Sequence, residues 1–283
     1  MKSGQEATSG AHRCQITPAV STAGDRDKCF SDKDQDARVA GAVDQIAQAA
    51  GNGSAVVAFS GGVDSTVVLR LAIEALGPGR VIAATGVSPP LPADERTEAG
   101  EIARSLGVRW IEVETDEIHD PEYIRNDGRR CYACKRTLYD RLHELARSVG
   151  GTCVINGVIA GDDDGTRPGV SAGRGGGGGM PPLDNGIDKP LVRAIARRFG
   201  LPNREKPASP CLASRLPFGT PVTIGALSQI EQAERLLHAL GFIECRVRHH
   251  GKVARIEVPE PDLPRLLEEP VRSQVIEGLK GAG

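Results

Sequence analysis

The stretch AVVAFSGGVDSTVVLRLAIEALG, residues 55–77, places two glycines between an apolar run and a helix-like pattern. The run over residues 54–59 is short and bounded by turn residues, which is typical of a strand buried in a parallel sheet. The turn S-G-G-V-D-S joins it to a predicted helix over 65–76, the position at which open α/β sheets bind ligands. Glycines let the backbone approach a phosphate, and a helix N-terminus supplies unpaired amide groups. The turn is therefore predicted to bind an anion.

Two common phosphate-binding loops do not fit this turn. It lacks the lysine of a Walker A loop, and its glycine spacing is not that of GxGxxG. Kinase-type chemistry and dinucleotide binding are therefore not favoured. An ordinary helix cap would account for Ser60 or Asp64 alone, but not for the whole arrangement.

The composition of the 283 residues limits the class of protein. Lys and Arg number 35 against 37 for Asp and Glu, which argues against a protein held to nucleic acid by bulk charge. No stretch is apolar and long enough for a signal peptide or a membrane span, so a cytoplasmic enzyme without a membrane partner is expected. Seven cysteines without a secretion signal favour reactive or metal-binding thiols over a disulfide framework.

Strand-like and helix-like segments alternate along the first half of the chain. Helical patterns cover 39–50, 65–76, 93–107 and 137–151, and strand-like runs cover 54–59, 80–88, 108–114 and 152–156. Such alternation predicts βαβ units and a parallel sheet covered by helices. The fold class is therefore predicted to be α/β.

A glycine-rich tract interrupts this pattern. Residues 171–182, SAGRGGGGGMPP, include five successive glycines, which lose too much conformational freedom on ordering to form a packed helix, so a mobile loop is expected. Beyond it, the sequence predicts helices over 188–200, 224–240 and 264–279, and a hairpin over 242–260 that turns near Gly251. The predicted organisation is a loose extension over 1–38, a first domain over 39–170, the loop over 171–182 and a smaller C-terminal α/β domain over 183–283.

Three thiols lie in segments that suit metal or sulfur chemistry. Cys131 and Cys134 are three apart in RRCYACKR at the start of a predicted helix, where the flanking basic residues are expected to favour thiolates. Cys211 lies in KPASPCLASRLPFG, a loop too polar and turn-rich to be core. A lone CxxC is also compatible with an ordinary redox or core pair.

The turn S-G-G-x-D-S resembles the signature of the PP-loop ATP pyrophosphatases, whose fold is adenine nucleotide alpha hydrolase-like. This resemblance implies that ATP is cleaved between its α- and β-phosphates with the help of Mg²⁺. The residues that it assigns to ATP and pyrophosphate are Ser60, Gly61, Gly62, Asp64 and Ser65. Asp64 would be the catalytic carboxylate on the side of the metal.

A more specific resemblance extends from about residue 39 to about residue 280. It rests on TGVSPPLPADE, DPEY, RRCYACKRTLYDRL, RPG, KPASPCLASRLPFGTPVT and CRVRHHGKVARIEV, which are similar to the LarE family, the ATP-dependent sulfur transferases of nickel-pincer nucleotide biosynthesis. In this family, ATP adenylylates the carboxylates of a pyridinium dicarboxylate mononucleotide, and sulfur then displaces AMP to give thiocarboxylates. Some members give up the sulfur of the PCLASR-type cysteine and keep dehydroalanine. Others hold a [4Fe-4S] cluster on three cysteines.

For this chain, the LarE resemblance implies a [4Fe-4S] cluster on Cys131, Cys134 and Cys211, with Cys211 catalytic. It also implies an anionic pyridinium mononucleotide as substrate, sulfide or another sulfur donor as partner, and a homo-oligomer, a hexamer as in the family. The alternative in which Cys211 itself is consumed stays open, although it gives the CxxC pair no role.

Arginines alternate in the predicted hairpin ECRVRHHGKVARIEV. Alternation puts Arg246 and Arg248 on one face, and a turn at Gly251 lets Arg255 join them across the strands. Arginine forks suit phosphate and carboxylate alike, while a solvated charged face is the alternative. The LarE resemblance implies that these arginines bind substrate, together with Ser214 and Arg215 of the PCLASR block.

The chain departs from the LarE pattern after the fourth strand. Where family members carry G-T-N-x-D-D, this chain reads NGVIAGDDDGTRPG from Asn156 and keeps Gly157 and Asp162. This difference and the glycine tract are expected to affect how the substrate is bound more than how ATP is cleaved. Two other functions stay open. One is PP-loop tRNA thiolation, which would require an RNA-binding module that the sequence does not reveal. The other is non-catalytic binding of Zn or a nucleotide.

Overall fold

A parallel sheet of four strands carries the turn at residues 60–65. The structure, a computed structural model, describes residues 32–162 and 178–283. The strands are β1 (Ser54–Ala58), β2 (Val81–Val87), β3 (Arg109–Glu114) and β4 (Gly151–Ile155), in the order β3-β2-β1-β4. Each neighbouring pair runs parallel. The strand order reverses beside β1, and the crevice at such a reversal is where sheets of this kind bind ligands.

Helices cover both faces of the sheet, which is why β1 and β2 are largely apolar. The helices of this half are α1 (Asp32–Ala50), α2 (Val63–Leu76), α3 (Ala93–Ser105), α4 (Pro121–Ile124) and α5 (Arg130–Ser148). Ala55 and Val57 pack in a core shared with α1, α2 and α3. Val56, between them, packs in a second core shared with α5.

The chain returns to β4 after the glycine tract. The amide of Gly179 donates to the carbonyl of Val154 at 2.8 Å, so the end of the tract lies against this strand. Two helices follow, α6 (Pro181–Asp184) and α7 (Lys189–Arg198). α7 packs against α2 in the core of the sheet, close to the turn at residues 60–65.

The C-terminal part has a separate small core. Its elements are a 3₁₀ turn (Leu212–Arg215), α8 (Ile224–Ala239), β5 (Arg246–His250), β6 (Val253–Glu257), a 3₁₀ turn (Glu260–Asp262), α9 (Leu263–Leu267) and α10 (Val271–Ala282). Strands β5 and β6 form an antiparallel hairpin, and Leu237, Phe242 and Val275 pack behind it. None of the helices among the described residues is long and apolar enough to cross a membrane.

The α/β class and the parallel sheet are confirmed, while some element boundaries differ from prediction. α1 begins at Asp32 rather than at 39, and α5 begins at Arg130 rather than at 137. The helix predicted over 264–279 is instead the pair α9 and α10. Pro270 separates them, because proline lacks the amide hydrogen that a helix interior needs. The division into two domains stays a prediction, and residues 163–177, including most of the predicted loop, lie outside the described ranges.

Candidate active site

The turn at residues 60–65 depends on a glycine backbone. Gly61 has a φ of +73°, and a Cβ added there would lie 3.1 Å from the Cβ of Ala99. The positive φ and the close packing on α3 both disfavour a side chain. α2 begins directly after Gly62, and no side chain in the described part of the chain caps its first turn. The unpaired amide groups of that turn are therefore available to an anion.

Hydroxyl groups hold the turn in shape. Ser65 Oγ donates to the carbonyl of Gly62 at 2.9 Å and lies 3.2 Å from Ser60 Oγ. Thr66 Oγ1 donates to the same carbonyl, also at 2.9 Å. The hydroxyls of the motif thus fix its backbone and lie beside one another at the start of α2.

A buried amide from the other half of the sequence supports the turn. Asn203 Nδ2 donates to the carbonyl of Gly61 and to Thr66 Oγ1, both at 2.8 Å. Asn203 is 5 % exposed. The sequence does not signal this residue, because LPNREKP is polar and turn-rich, a pattern typical of a surface loop.

Asp64, the predicted metal-side carboxylate, lies in the first turn of α2. Its Oδ1 accepts a hydrogen bond from Lys189 Nζ at 2.6 Å. Lys189 is the first residue of α7 and lies 125 positions along the chain. Its position was not predicted, because one lysine at a helix start has no distinguishing pattern.

A cavity of about 550 Å³ lies at the carboxyl ends of the strands. Its wall includes three residues of the turn and the three predicted thiols: Ser60, Asp64, Ser65, Cys131, Cys134 and Cys211. Its volume is typical of a small-molecule site. The fold therefore brings the anion-binding turn and the thiols together around one space, which we call the shared cavity.

The thiols differ in exposure. Cys131 and Cys211 are exposed, whereas Cys134 is partly buried. Burial of the Cys134 thiol raises its pKa to about 12, and the nearby carboxylate of Glu117 adds to this effect. The expectation that the basic flanks would favour a thiolate is therefore wrong for Cys134.

The flanking arginines contact groups other than Cys134, one of which is the neighbouring thiol, because Arg130 Nη2 lies 3.9 Å from Cys131 Sγ. Arg129 and Arg136 both form ion pairs with Glu122. Arg130 Nη1 donates to the carbonyl of Ala213 at 2.8 Å.

Across residues 32–162 and 178–283, no group of three or more Cys, His, Asp or Glu side chains is arranged to hold a metal ion.

Three buried polar atoms on the wall of the shared cavity lack a hydrogen-bond partner among the described residues: Glu117 Oε2, Tyr123 Oη and Asn156 Nδ2. Other contacts fix two of these groups, since Glu117 Oε1 accepts from Ser88 Oγ at 2.6 Å and Asn156 Oδ1 accepts from the amide of Val158 at 3.0 Å. A buried polar group without a partner costs free energy. These three groups therefore put unpaired polar atoms beside the cavity, and nothing in the sequence signals any of them.

The altered segment after β4 borders the same site. A Cβ added to Gly157 would lie 3.0 Å from the amide nitrogen of Ser65, so this glycine allows the segment to pack against the turn. Asp162 lies on the wall of the shared cavity. Asp163 and Asp164 lie outside the described residues.

The arginine hairpin has the predicted register. Arg248 lies opposite Arg255 in the antiparallel pair. Glu257 accepts hydrogen bonds from Arg248 Nε at 3.0 Å and from Arg255 Nη2 at 2.8 Å. Arg246 lines a second cavity of about 750 Å³.

The PCLASR block is tied to this hairpin. Arg215, 4 % exposed, pairs with Glu234 through Nε–Oε1 at 2.9 Å and Nη2–Oε2 at 3.0 Å. Its Nη1 also donates to Ser214 Oγ at 3.0 Å. Glu234 Oε1 accepts from the amide of Val247 at 2.9 Å as well. Arg215 therefore connects the segment that carries Cys211 to the hairpin, and it lines the second cavity rather than the shared one.

Known proteins that are similar to this chain fall into two groups, one that matches only its first part and one that matches most of it. The profile of the NAD synthase family matches residues 37–125. An uncharacterized protein of Synechocystis sp. is 38 % identical over 229 residues, 81 % of this chain and 85 % of the relative. The pyridinium-3,5-bisthiocarboxylic acid mononucleotide synthase of Lactiplantibacillus plantarum is 37 % identical over 204 residues, 72 % of this chain and 74 % of the relative. This chain belongs to the LarE family.

The wider comparison separates two parts of this LarE-family chain. The NH(3)-dependent NAD(+) synthetase of Pyrobaculum aerophilum is 41 % identical over 78 residues, but these are 28 % of this chain and 29 % of the relative. The NAD synthase profile covers the turn at 60–65 and ends before Cys131. The thiols and the hairpin therefore lie outside the part that matches the NAD synthase family.

Proposed function

We propose that this chain is an ATP-dependent sulfur transferase that converts the carboxylates of pyridinium-3,5-biscarboxylic acid mononucleotide into thiocarboxylates. The observation that carries the proposal is the shared cavity, whose wall holds both the anion-binding turn and the three thiols. A carboxylate activated beside the turn would thus be in the same space as a sulfur held by the thiols. The name of the Lactiplantibacillus plantarum relative supports the class of product.

The first step would activate the acceptor. A carboxylate oxygen of the substrate attacks the α-phosphorus of ATP, the bond to the bridging oxygen of the β-phosphate breaks, and pyrophosphate leaves. The amide groups at the start of α2 and the hydroxyls of Ser60 and Ser65 would bind the departing pyrophosphate. Asp64, an oxygen ligand on the cavity wall, fits Mg²⁺, which would neutralise developing phosphate charge.

The second step would exchange AMP for sulfur. A sulfur nucleophile attacks the acyl carbon, and the bond between that carbon and the AMP oxygen breaks. Cys131, Cys134 and Cys211 fit a [4Fe-4S] cluster in donor type and in sharing one cavity wall, although binding would have to draw them together and remove the proton from Cys134. When bound by three thiolates, such a cluster would supply one open iron that can carry an extra sulfide.

Cys211 itself is the alternative sulfur source, since it is exposed on the cavity wall. Its thiolate would attack the acyl carbon and AMP would leave. Loss of the Cα proton and cleavage of its Cβ–S bond would then release the thiocarboxylate and leave dehydroalanine. Both sulfur sources use the same activation by ATP.

Substrate anions would be bound by the hairpin. Arg246 is the best placed for this role, because it lines the second cavity, which lies next to the shared one at the PCLASR block, where Leu212 lines the second cavity and Cys211 the shared one. Arg248 and Arg255 would supply further contacts once a phosphate or carboxylate displaces Glu257. The predicted substrate contact of Arg215 is not favoured, because its buried guanidinium is paired with Glu234, so Arg215 and Ser214 would instead hold the PCLASR block in place. By resemblance to the family, we expect a cytoplasmic homo-oligomer, a hexamer, without a nucleic-acid or membrane partner.

The experiment that tests this function measures AMP and pyrophosphate after adding ATP, Mg²⁺ and the pyridinium dicarboxylate mononucleotide under anaerobic conditions. We expect pyrophosphate release that depends on the acceptor. The matched control is the same nucleotide without carboxylates, which cannot be adenylylated. Equal release with both nucleotides, or none with either, would contradict the proposal.

A further inference from the structure

Asn126 lies in a left-handed backbone conformation between α4 and α5. Its φ is +52°, and among residues 32–162 and 178–283 it is the one residue other than glycine with a positive φ. Asparagine tolerates this conformation better than most residues, because its short polar side chain can form local hydrogen bonds. Asn126 is 2 % exposed. A backbone conformation of this kind persists where the surrounding contacts fix it.

The contacts of Asn126 hold the loop that follows the PCLASR block. Its Nδ2 donates to the carbonyls of Pro217 and Thr220, both at 2.8 Å. Its own backbone carbonyl accepts from the amide of Gly219 at 2.9 Å. One buried asparagine therefore fixes three positions of the loop over 217–220, which begins two residues after the block.

The same asparagine is connected to the start of the helix that carries the CxxC pair. Arg130, the first residue of α5, donates from Nη1 to Asn126 Oδ1 at 2.6 Å and to the carbonyl of Ala213 at 2.8 Å. Arg130 directly precedes Cys131, and Ala213 is two residues beyond Cys211. One guanidinium therefore joins the two segments that carry the thiols.

An apolar core joins the same two segments. The buried Tyr123 packs in one cluster with Ala133 of α5 and with Leu212 and Ala213 of the PCLASR block, and Cys134 packs against this cluster. Ala133 lies between the two cysteines of the CxxC pair, and Leu212 directly follows the third thiol. Because protein cores are close-packed, the two segments cannot shift past one another without losing these contacts.

We infer that Asn126 is a positioning residue that, together with Arg130, holds Cys211 within reach of Cys131 and Cys134, so that three thiolates can bind one metal group. This inference rests on the proposed function. Glycine could adopt the backbone conformation of Asn126, but it has no amide to hold the loop and no oxygen to accept from Arg130. Segments that are prearranged in this way lower the cost of bringing the thiols together around the group that they bind.

The test uses Asn126→Gly in the full chain, with Cys211→Ser as the reference and Asn185→Gly as the matched control. Glycine retains the left-handed backbone and removes only the side-chain contacts. Asn185 likewise donates twice through its side-chain amide, to Gln45 Oε1 at 2.7 Å and to the carbonyl of Pro181 at 2.9 Å. These contacts join α1 to α6.

The measurement is a titration of iron-free protein with Co²⁺ under anaerobic conditions. The thiolate-to-cobalt charge-transfer absorption is recorded at saturation, and its intensity increases with the number of thiolates bound to the ion. Denaturant unfolding reports on the stability of each variant. Calorimetric titration with ATP reports on the turn at residues 60–65, which is the part of the site that the substitution leaves in place.

We expect the absorption of Asn126→Gly to fall by about a third, to the value of Cys211→Ser, because Cys211 is present but no longer reaches the ion held by the other two thiolates. Asn185→Gly should keep the intensity of the unmodified protein although it also loses two hydrogen bonds. The ATP affinity of both variants should stay within about twofold of the unmodified value, since distant sites act independently. Arg130→Gln, which breaks the link to Ala213, should lower the absorption in the same way.

Three results would overturn the inference. The first is an unmodified protein with the absorption of Cys211→Ser, and the second is an Asn126→Gly variant with the absorption of the unmodified protein. The third is an equal loss in Asn185→Gly, which would mean that the absorption follows general stability. If Asn126→Gly does not fold, the same comparison with Arg130→Gln decides.

The proposed function is tested separately from this inference. The Co²⁺ titration uses neither ATP nor the acceptor nucleotide, so its result does not depend on carboxylate activation. An absence of acceptor-dependent pyrophosphate release would contradict the proposed function, whereas a Co²⁺ spectrum that is unchanged in Asn126→Gly would contradict only the positioning role of this residue.

Discussion

Asn203 Nδ2 donates to the carbonyl of Gly61 at 2.8 Å, and both groups are remote from each other in sequence. The same nitrogen also reaches Thr66 Oγ1, so one amide holds two sides of the turn. The turn is therefore supported by the segment that leads towards Cys211. This contact joins the anion-binding turn to the part of the chain that carries the PCLASR block.

Replacing Asn203 by Asp tests this support. Aspartate has nearly the same shape as asparagine, but its carboxylate cannot donate a hydrogen bond to the carbonyl of Gly61. We expect the free energy of unfolding to fall by about 1–3 kcal/mol and pyrophosphate binding to weaken, since a buried carbonyl loses its partner. Denaturant unfolding and calorimetry check both effects. An unchanged free energy of unfolding and an unchanged pyrophosphate affinity would show that the hydrogen bond does not support the turn.

Replacing Asp64 by Asn tests the metal-side carboxylate. We expect acceptor-dependent pyrophosphate release to fall about 100-fold or more at saturating Mg²⁺, because the amide is a poor ligand for the ion. The fold should persist, since the side chain is partly exposed on the wall of the cavity. Asp36→Asn is the control, because it breaks an exposed ion pair away from the turn. A fully active Asp64→Asn variant would contradict the assignment.

The raised pKa of Cys134 predicts the order in which thiols react in protein without bound iron. A group with a pKa of about 12 stays protonated at neutral pH, and its reactive thiolate becomes more abundant as pH rises towards that value. Iodoacetamide should therefore label the exposed Cys131 and Cys211 first, and label Cys134 increasingly at alkaline pH. Peptide mapping by mass spectrometry measures each site. Early labelling of Cys134 at neutral pH would contradict its burial beside Glu117.

The hairpin is tested by Arg246→Ala. We expect the affinity for the anionic acceptor to fall about tenfold while ATP affinity changes little, because Arg246 lies on the far side of the PCLASR block from the anion-binding turn, where an acceptor that reaches past Cys211 and Leu212 would meet it but the phosphates of ATP would not. Arg272→Ala, which breaks an exposed ion pair with Glu269, serves as control. Equal losses for both ligands would indicate a structural defect instead of substrate binding.

The sequence predicted those features that depend on local pattern. Alternating apolar runs and helical patterns identified the four strands and the main helices, and the turn at 60–65 followed from glycine and helix-start chemistry. The register of Arg248 and Arg255 followed from alternation and a turn at Gly251. These features need no information about distant contacts.

The contacts of the site that were missed all join distant segments. Asn203 and Lys189 reach the turn from positions more than a hundred residues away, and nothing in their neighbouring residues signals it. The environment of Cys134 was misjudged because its burial and the nearby carboxylate of Glu117 arise only in the folded chain, which sequence proximity cannot show. Burial of Glu117, Tyr123 and Asn156 likewise depends on the assembled cavity.

The central claim is that one cavity couples ATP-driven activation to sulfur transfer. Its most direct test is an anaerobic reaction of iron-loaded protein with ATP, Mg²⁺, the pyridinium dicarboxylate mononucleotide and isotopically labelled sulfide, followed by mass spectrometry of product and protein. We expect about four irons per chain, labelled thiocarboxylate over several turnovers, and an intact Cys211. Unlabelled sulfur in a single turnover, with dehydroalanine at Cys211, would overturn the cluster in favour of the consumed cysteine. An acceptor that gains no sulfur from either source would contradict the claim itself.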